Sequence, residues 1–330
     1  MHNKLSPKVG VVSFSCFSFT TDNVKSQRMY LCEFDVFRVY IISVSSCPCI
    51  QVQETDTPGY VKLLQREGAQ QTTRCIRRAV VNNVLLPDKL MNKFYGELER
   101  CKRKCQEVAR ACVDLDDEKK ELRQIDDRIK LRRHGPAVQM DIQDIKMEVK
   151  FNADRQAATS QKFYSVDMVP AIEIPRGNGK CDYYVAKSTK GLSRPRNTWR
   201  QSFSLEEKNR LVTADKDNCC RKQVFRVLKV IRNREPGLAP LTSYHLKTAL
   251  FRTMDQRTEQ RKWKTDRLGR RLMDVIGQLE EDLDDKDMPH YYLPGVNLLQ
   301  GIGDDTVEKM RNRLEHLMQS EQEMMKLLPQ

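Results

Sequence analysis

The chain has 330 residues, 39% of them hydrophobic and 31% charged, so it can bury a sizeable core as one large domain or two lobes. A formal net charge of +13 favours polyanionic partners such as nucleic acid, nucleotides or an anionic membrane surface, and no stretch approaches the roughly 20 apolar residues of a membrane-spanning helix. Eleven cysteines, an odd number at uneven spacing, imply no disulfide framework and best fit a reducing cytoplasm or nucleus.

Residues 1–27 stay unassigned. Val11 to Phe19 is apolar and serine-rich but lacks the positive start, long apolar core and small-residue cleavage site of a signal peptide. From Met29 to Val44 an apolar run encloses Cys32-Glu33-Phe34-Asp35-Val36-Phe37. A strand period of two puts Glu33 and Asp35 on one face and Phe34 and Val36 on the other. This is either the solvated face of an edge strand or a shared carboxylate patch, whose mutual repulsion a hard cation such as magnesium relieves. A second strand-like run, Phe163 to Val169, carries the lone acid Asp167. Three acids from two strands would make a metal site.

Cys47 to Gly59 reads as a loop broken by Pro48, Pro58 and Gly59, and Tyr60 to Leu64 as a strand. From Pro87 the apolar period becomes helical through Leu90, Phe94, Leu98, Cys101, Cys105, Val108 and Cys112, with Asp88 placed to cap. The basic face of this helix holds Arg100, Lys102, Arg103, Lys104 and Arg110, and the stripe is expected to run on through Asp114 to Arg133. It is a solvated face or, on the sharper reading, a phosphate-backbone contact, joined in the second lobe by Lys208, Arg210, Lys216, Arg221 and Lys222.

Strand character returns after Gly135-Pro136, at Ala137 to Ile142, Lys146 to Phe151 and Phe163 to Ile174. Arg176 to Lys180 reads as a turn and Lys187 to Asn197 as a polar linker. Beyond Trp199 nearly everything reads as helix, with Ser204 and Glu207 spaced as a capping box. The expected fold is α+β, a mixed-sheet lobe over residues 28–195 followed by an all-helical lobe over 196–302, bilobal with a central cleft, and a C-terminal helix or tail over 303–330. No zinc site is expected, since neither Cys47-Pro-Cys49 nor Cys219-Cys220 has a partner pair at workable spacing.

In order along the chain, Glu33-Phe34-Asp35-Val36-Phe37, Gly135-Pro136-Ala137-Val138, Tyr164-Ser165-Val166-Asp167, Thr198 to Ser204, Cys219-Cys220-Arg221-Lys222 and Ser243 to Ala249 resemble the blocks of cyclic GMP-AMP synthase. They are also similar to those of the related cyclic GMP-AMP synthase-like receptors and the Mab-twenty-one developmental proteins, over about residues 28–300. The resemblance implies a nucleotidyltransferase core, a helix-hairpin-helix-like (HhH/H2TH-like) second lobe and a nucleotide cleft. It implies Glu33, Asp35 and Asp167 as the metal triad for two Mg²⁺ or Mn²⁺ ions. Nucleotide contacts would come from Arg200, Ser202, Ser204, Glu207, Lys229, Ser243 and Tyr244, although Tyr244 taken alone reads as core packing.

Two departures qualify what carries over. Where the family's enzymes place a Gly-Ser pair before the first acids, Phe19 to Leu31 has no glycine. Of the vertebrate zinc-binding insertion only Cys219-Cys220 remain, which moves the expected activator from DNA towards double-stranded RNA. Two functions follow as expectations. The first is a cytoplasmic or nuclear innate-immune sensor that joins ATP and GTP into a cyclic dinucleotide when duplex nucleic acid binds. The second is a catalytically inactive Mab-type binding or developmental protein that keeps the fold.

Overall fold

The computed structural model describes residues 38–43, 50–66, 76–111, 129–143, 148–151, 157–160, 163–177, 180–187, 197–214 and 219–328. They fall into two compact units, Met1–Ser202 and Phe203–Gln330.

The first unit runs β1 (Arg38–Ser43), β2 (Ile50–Glu54), β3 (Tyr60–Gln65), β4 (Val80–Val81), β5 (Val84–Leu85) and helix α1 (Pro87–Ala111). It continues with β6 (Ile129–His134), β7 (Ala137–Gln143), β8 (Glu148–Phe151), β9 (Ala157–Ser160), β10 (Phe163–Gly177), β11 (Lys180–Val185) and β12 (Trp199–Ser202). Among the described residues β8 and β9 form their own hairpin, and the other strands form one mixed sheet in the order β4-β5-β3-β12-β11-β10-β7-β6, with β2 on β3 and β1 on β10.

The hub is β10. Its first part, Phe163–Met168, pairs antiparallel with β7, Met168–Glu173 pairs parallel with β1, and Ala171–Gly177 pairs antiparallel with β11. Burial follows this partnering. Met168, Ala171 and Ile172 lie in the core, whereas Ser165 is exposed and Asp167 half-buried.

Helix α1 starts where sequence chemistry wants it. Pro87 occupies the first helical position, where a missing N–H costs nothing, and Asp88 sits inside the first turn rather than at the cap, still favourable to the helix dipole. Leu90, Met91 and Leu98 are buried, Met91 and Leu98 packing with Val138 and Met168. One sheet face is thereby covered by α1, and Trp199 anchors that face by donating its indole N–H to the Leu85 carbonyl at 2.9 Å. Asn82 and Asn83, both at positive φ, make the tight two-residue turn between β4 and β5 that asparagine tolerates best among non-glycine residues.

Three sequence expectations are corrected. Ile50–Glu54, placed in a loop, is strand β2, because the Ile50/Val52 alternation packs on β3 despite the flanking prolines. The helical stripe does not reach Arg133. Lys130 to Arg133 belong to β6, whose Ile129 and Leu131 alternate inward and whose chain turns back through Gly135 at φ +57° into β7. Trp199 to Ser202, assigned to the helical lobe, completes the sheet as β12 between β11 and β3.

The second unit is helical: α2 (Ser204–Ala214), α3 (Arg221–Arg234), α4 (Ser243–Gln256), α5 (Leu268–Asp284), α6 (Asp304–Gln319) and α7 (Glu321–Leu327). Its core is built at helical spacing from Val224, Leu228 and Ile231 of α3, Leu246, Ala249 and Leu250 of α4, Leu272, Val275 and Leu279 of α5, and Val307, Met310 and Leu314 of α6. No described helix is long and apolar enough to cross a membrane.

Candidate functional site

Asp167 lies one residue before the position at which β1 joins β10. Register fixes what shares its face. Along β10, Asp167, Val169, Ala171 and Glu173 point the same way. Ala171 pairs with Val185 of β11, which pairs with Arg200 of β12, and Glu173 leads through Tyr183 to Ser202. Asp167, Arg200 and Ser202 therefore occupy one sheet face, opposite the face covered by α1. Two strand spacings across and four residues along put the Asp167 and Arg200 backbones roughly 16 Å apart.

Both keep bonding capacity in hand. Among the described residues the Asp167 side chain makes no hydrogen bond or ion pair beyond its strand's backbone ladder, and Arg200 has a buried Nε without a hydrogen-bond partner. Beside Asp167 is a second acid, Asp141 of β7, which accepts from Ser165 Oγ at 2.6 Å and from Gln139 Nε2 at 2.9 Å and pairs with Arg132. Burial pushes its carboxyl upward, but these bonds outweigh burial and hold it below the ordinary carboxylate range.

Glu33 and Asp35 lie outside the described residues. The strand that follows them is described: Arg38, three residues after Asp35, pairs with Met168, the neighbour of Asp167. Among the described residues no group of three or more His, Cys, Asp or Glu side chains could hold a metal ion.

In the second unit the first turn of α4 is set by a reciprocal cap. Thr242 Oγ1 accepts the His245 amide at 3.3 Å, and His245 Nδ1 accepts the Thr242 amide at 3.1 Å. The other His245 nitrogen faces the Leu298 carbonyl at 3.2 Å; burial lowers the pKa of this ring, and that carbonyl only partly opposes the shift. Ser243 and Tyr244 are thus the first two residues of a well-formed helix N-terminus, and Arg232 bonds the Leu241 carbonyl and Ser243 Oγ beside it.

Tyr244 is half-buried and belongs to a ring cluster rather than to the core. Its centroid is 4.9 Å from that of His290, and its hydroxyl is 3.4 Å from His290 Nδ1. Phe203 stacks on Tyr292 at 4.8 Å and meets His290 edge-on at 5.7 Å. Burial, then the nearby Glu207, push the Tyr292 hydroxyl far up, so it stays protonated. Glu207, itself buried, turns its carboxylate to Lys247 of α4 at 2.6 Å.

Ser204 is the first residue of α2, and Lys229 on α3 has its ammonium 5.9 Å from the Phe225 ring centre. Lys247, His290 and Tyr292 were missed by sequence reasoning. The signal was three consecutive rings, His290-Tyr291-Tyr292, set between Pro289 and Pro294.

Two residues counted as basic surface are not. Arg221 is 4% exposed with its guanidinium 4.9 Å from the Trp263 ring, and Arg210 pairs with Asp255 while lying over the Phe251 and Tyr291 rings. Both are amphipathic cations spent on aromatic packing. Lys208, Arg103 and Lys104 are exposed; Lys216 and the Arg110 side chain lie outside the described residues. Cys219 and Cys220 are buried thiols of the helical core, with Gln260 Nε2 2.9 Å from Cys219 Sγ.

A mixed sheet with an acid and an arginine on one face, followed by a helical unit, is the architecture of a nucleotidyltransferase core and its helical companion. Residues 33–212 match the Mab-21 protein nucleotidyltransferase domain and residues 220–316 the Mab-21 protein HhH/H2TH-like domain, so the chain belongs to the Mab-21 nucleotidyltransferase family. It is also 29% identical over 286 residues to cyclic GMP-AMP synthase-like receptor 3 of Stylophora pistillata, an alignment covering 84% of this chain and 74% of the relative.

Proposed function

We propose that this chain is a nucleic-acid-activated nucleotidyltransferase that joins two nucleoside triphosphates, ATP and GTP, into a cyclic dinucleotide in cytoplasmic or nuclear innate immune signalling. The observation that carries it is the shared sheet face of Asp167 and Arg200, each with unspent bonding capacity, in a chain of this family.

The donor chemistry fits a divalent metal. Asp167 offers a hard carboxylate oxygen at the edge of the sheet's buried centre, and Glu33 and Asp35 immediately precede the strand that joins beside it. Two such ions, Mg²⁺ or Mn²⁺, would neutralise triphosphate charge and acidify the attacking sugar hydroxyl. The remaining work falls to the chain. The planar guanidinium of Arg200 forks onto phosphate or base acceptors. Ser202, Ser204 and Lys229 supply further polar contacts. Ser243, at the positive end of α4, donates towards phosphate. Tyr244, held by His290, presents a ring for a base to stack on, and Glu207, fixed by Lys247, accepts from a base edge.

Activation rests on charge. Exposed Arg103 and Lys104 of α1, and Lys208 of α2, suit phosphate backbones, and double-stranded RNA is favoured over DNA because the zinc insertion is missing from the sequence. The absence of glycine from Phe19 to Leu31 favours one second reading, a Mab-type binding protein without turnover.

The test is incubation with ATP, GTP and Mn²⁺ and either duplex RNA or duplex DNA, with product identified by mass spectrometry and Asp167→Asn as control. Duplex-dependent cyclic product that Asp167→Asn abolishes is the expected result. Nucleotide and duplex binding without product would transfer the chain to the second reading, and failure to bind nucleotide would overturn both the site and the activity.

A further inference from the structure

Asp141 is the most heavily bonded acid on the sheet face that carries Asp167, and the resemblance gives it no role. Register places it with care. Asp141 faces Ser165 across the β7–β10 pair, Gln139 faces Asp167, and on the other side of β7 Arg132 faces Gln139. Directly opposed residues on one face have Cβ atoms about 5 Å apart, so the Gln139 amide starts within easy reach of the Asp167 carboxylate.

It does not go there. Gln139 runs along its own strand to Asp141 Oδ1 at 2.9 Å, Ser165 Oγ takes the same oxygen at 2.6 Å, and the Arg132 guanidinium crosses diagonally to Oδ2. Three groups able to donate to Asp167 are thereby gathered on its neighbour. Arg132 also offsets the Asp141 charge, which lessens the repulsion that Asp141 exerts on Asp167.

We propose that Asp141 is a positioning residue that draws Arg132, Gln139 and Ser165 onto itself and so leaves the Asp167 carboxylate open to divalent metal. The inference rests on the reading of Asp167 as a metal ligand. With Asp141 replaced, a metal ion must displace the released amide or guanidinium before it can bind. A hydrogen bond to a charged group is strong enough for that competition to raise the metal requirement about tenfold.

The experiment reads the Mn²⁺ concentration that gives half the ATP-dependent rise in melting temperature of the full chain, with no turnover needed. Wild type must show the shift and Asp167→Asn must lose it; failure at that step overturns the metal reading itself and the inference with it. Given the shift, Asp141→Val, a residue suited to a strand, should raise the midpoint about tenfold. The triple variant Arg132→Leu/Gln139→Leu/Asp141→Val, which removes the released guanidinium and amide and leaves only the Ser165 hydroxyl, should bring it back to within about threefold of wild type. An unchanged midpoint in Asp141→Val, or a triple variant as weak as Asp141→Val, overturns the inference while leaving the metal reading standing.

Arg132 supplies the test if the Asp141 variants do not fold, because its side chain is 66% exposed. Arg132→Leu leaves Asp141 charged and uncompensated beside the metal position and should lower the midpoint about threefold. A raised or unchanged midpoint refutes the proposal.

Discussion

Asp282 of α5 gives the helical unit a pH dependence whose size can be worked out. Its side chain is 5% exposed; Oδ1 receives Arg252 and Gln278, the latter at 3.1 Å, and Oδ2 is buried without a hydrogen-bond partner. Burial raises its pKa from 3.8 to about 6, Arg252 and Gln278 only partly opposing the rise. The native state therefore binds the proton more tightly than the unfolded chain does. Stability falls as pH rises from about 4 to about 6, and the loss is complete above that window. A shift of about two units corresponds to about 3 kcal/mol.

Asn is the neutral isostere, so Asp282→Asn should resemble the protonated wild type at every pH. The stability difference between variant and wild type should move by about 3 kcal/mol in the variant's favour between pH 4 and pH 8. Urea unfolding can be followed at Trp263, which belongs to this unit, in a Trp199→Phe background that removes the chain's other tryptophan. A variant whose deficit is the same at pH 4 and pH 8 would refute the reasoning, and a deficit that grows towards pH 8 would show the Arg252–Asp282 pair to be net stabilising.

Three further outcomes are expected. Tyr244→Ala should weaken nucleotide binding by about 1–3 kcal/mol, measured calorimetrically, with the melting temperature nearly unchanged; a large melting loss with affinity intact would make the ring a packing residue. Lys247→Ala strands the buried Glu207 carboxylate and should cost about 3 kcal/mol at pH 7, with much of it recovered in Lys247→Ala/Glu207→Gln, whereas equal loss in both would deny the pair its importance. Duplex RNA affinity should fall by about one decade per decade of salt for each phosphate neutralised, and an affinity indifferent to salt would remove the basic surface from recognition.

What could be read in the sequence was whatever repeats or punctuates. Helix α1 announced itself by Pro87 and a 3.6 period, and β10 by the apolar run Phe163 to Val169 with its lone acid Asp167, so the α+β class and the two-part order followed from pattern. Short elements were lost because their signal is only a pair of residues: β2 rests on Ile50 and Val52 between prolines, and β12 on a tryptophan and a serine. Charge was the least legible property. Arg221 and Arg210 look like surface in a string of basic residues, but each lies over an aromatic ring that only the fold delivers, Trp263 to one and Tyr291 to the other. His290 was invisible for the same reason. Its partner Tyr244 is 46 positions away, and no local pattern reports that distance.

The parallel pairing of β1 with β10 sets a timetable for the chain as it is made. Arg38 must find Met168, 130 positions later, and among the described residues β1 pairs with no nearer strand. At about 5–20 residues per second a ribosome needs roughly 7–26 s to supply the partner strand. Through that interval β1 is an apolar strand with both edges unfilled, the state in which chains seek edges on other molecules. The surroundings of Asp167 are thus assembled only after about half the protein has been synthesised, and chaperone dependence of the nascent chain should end when β10 emerges.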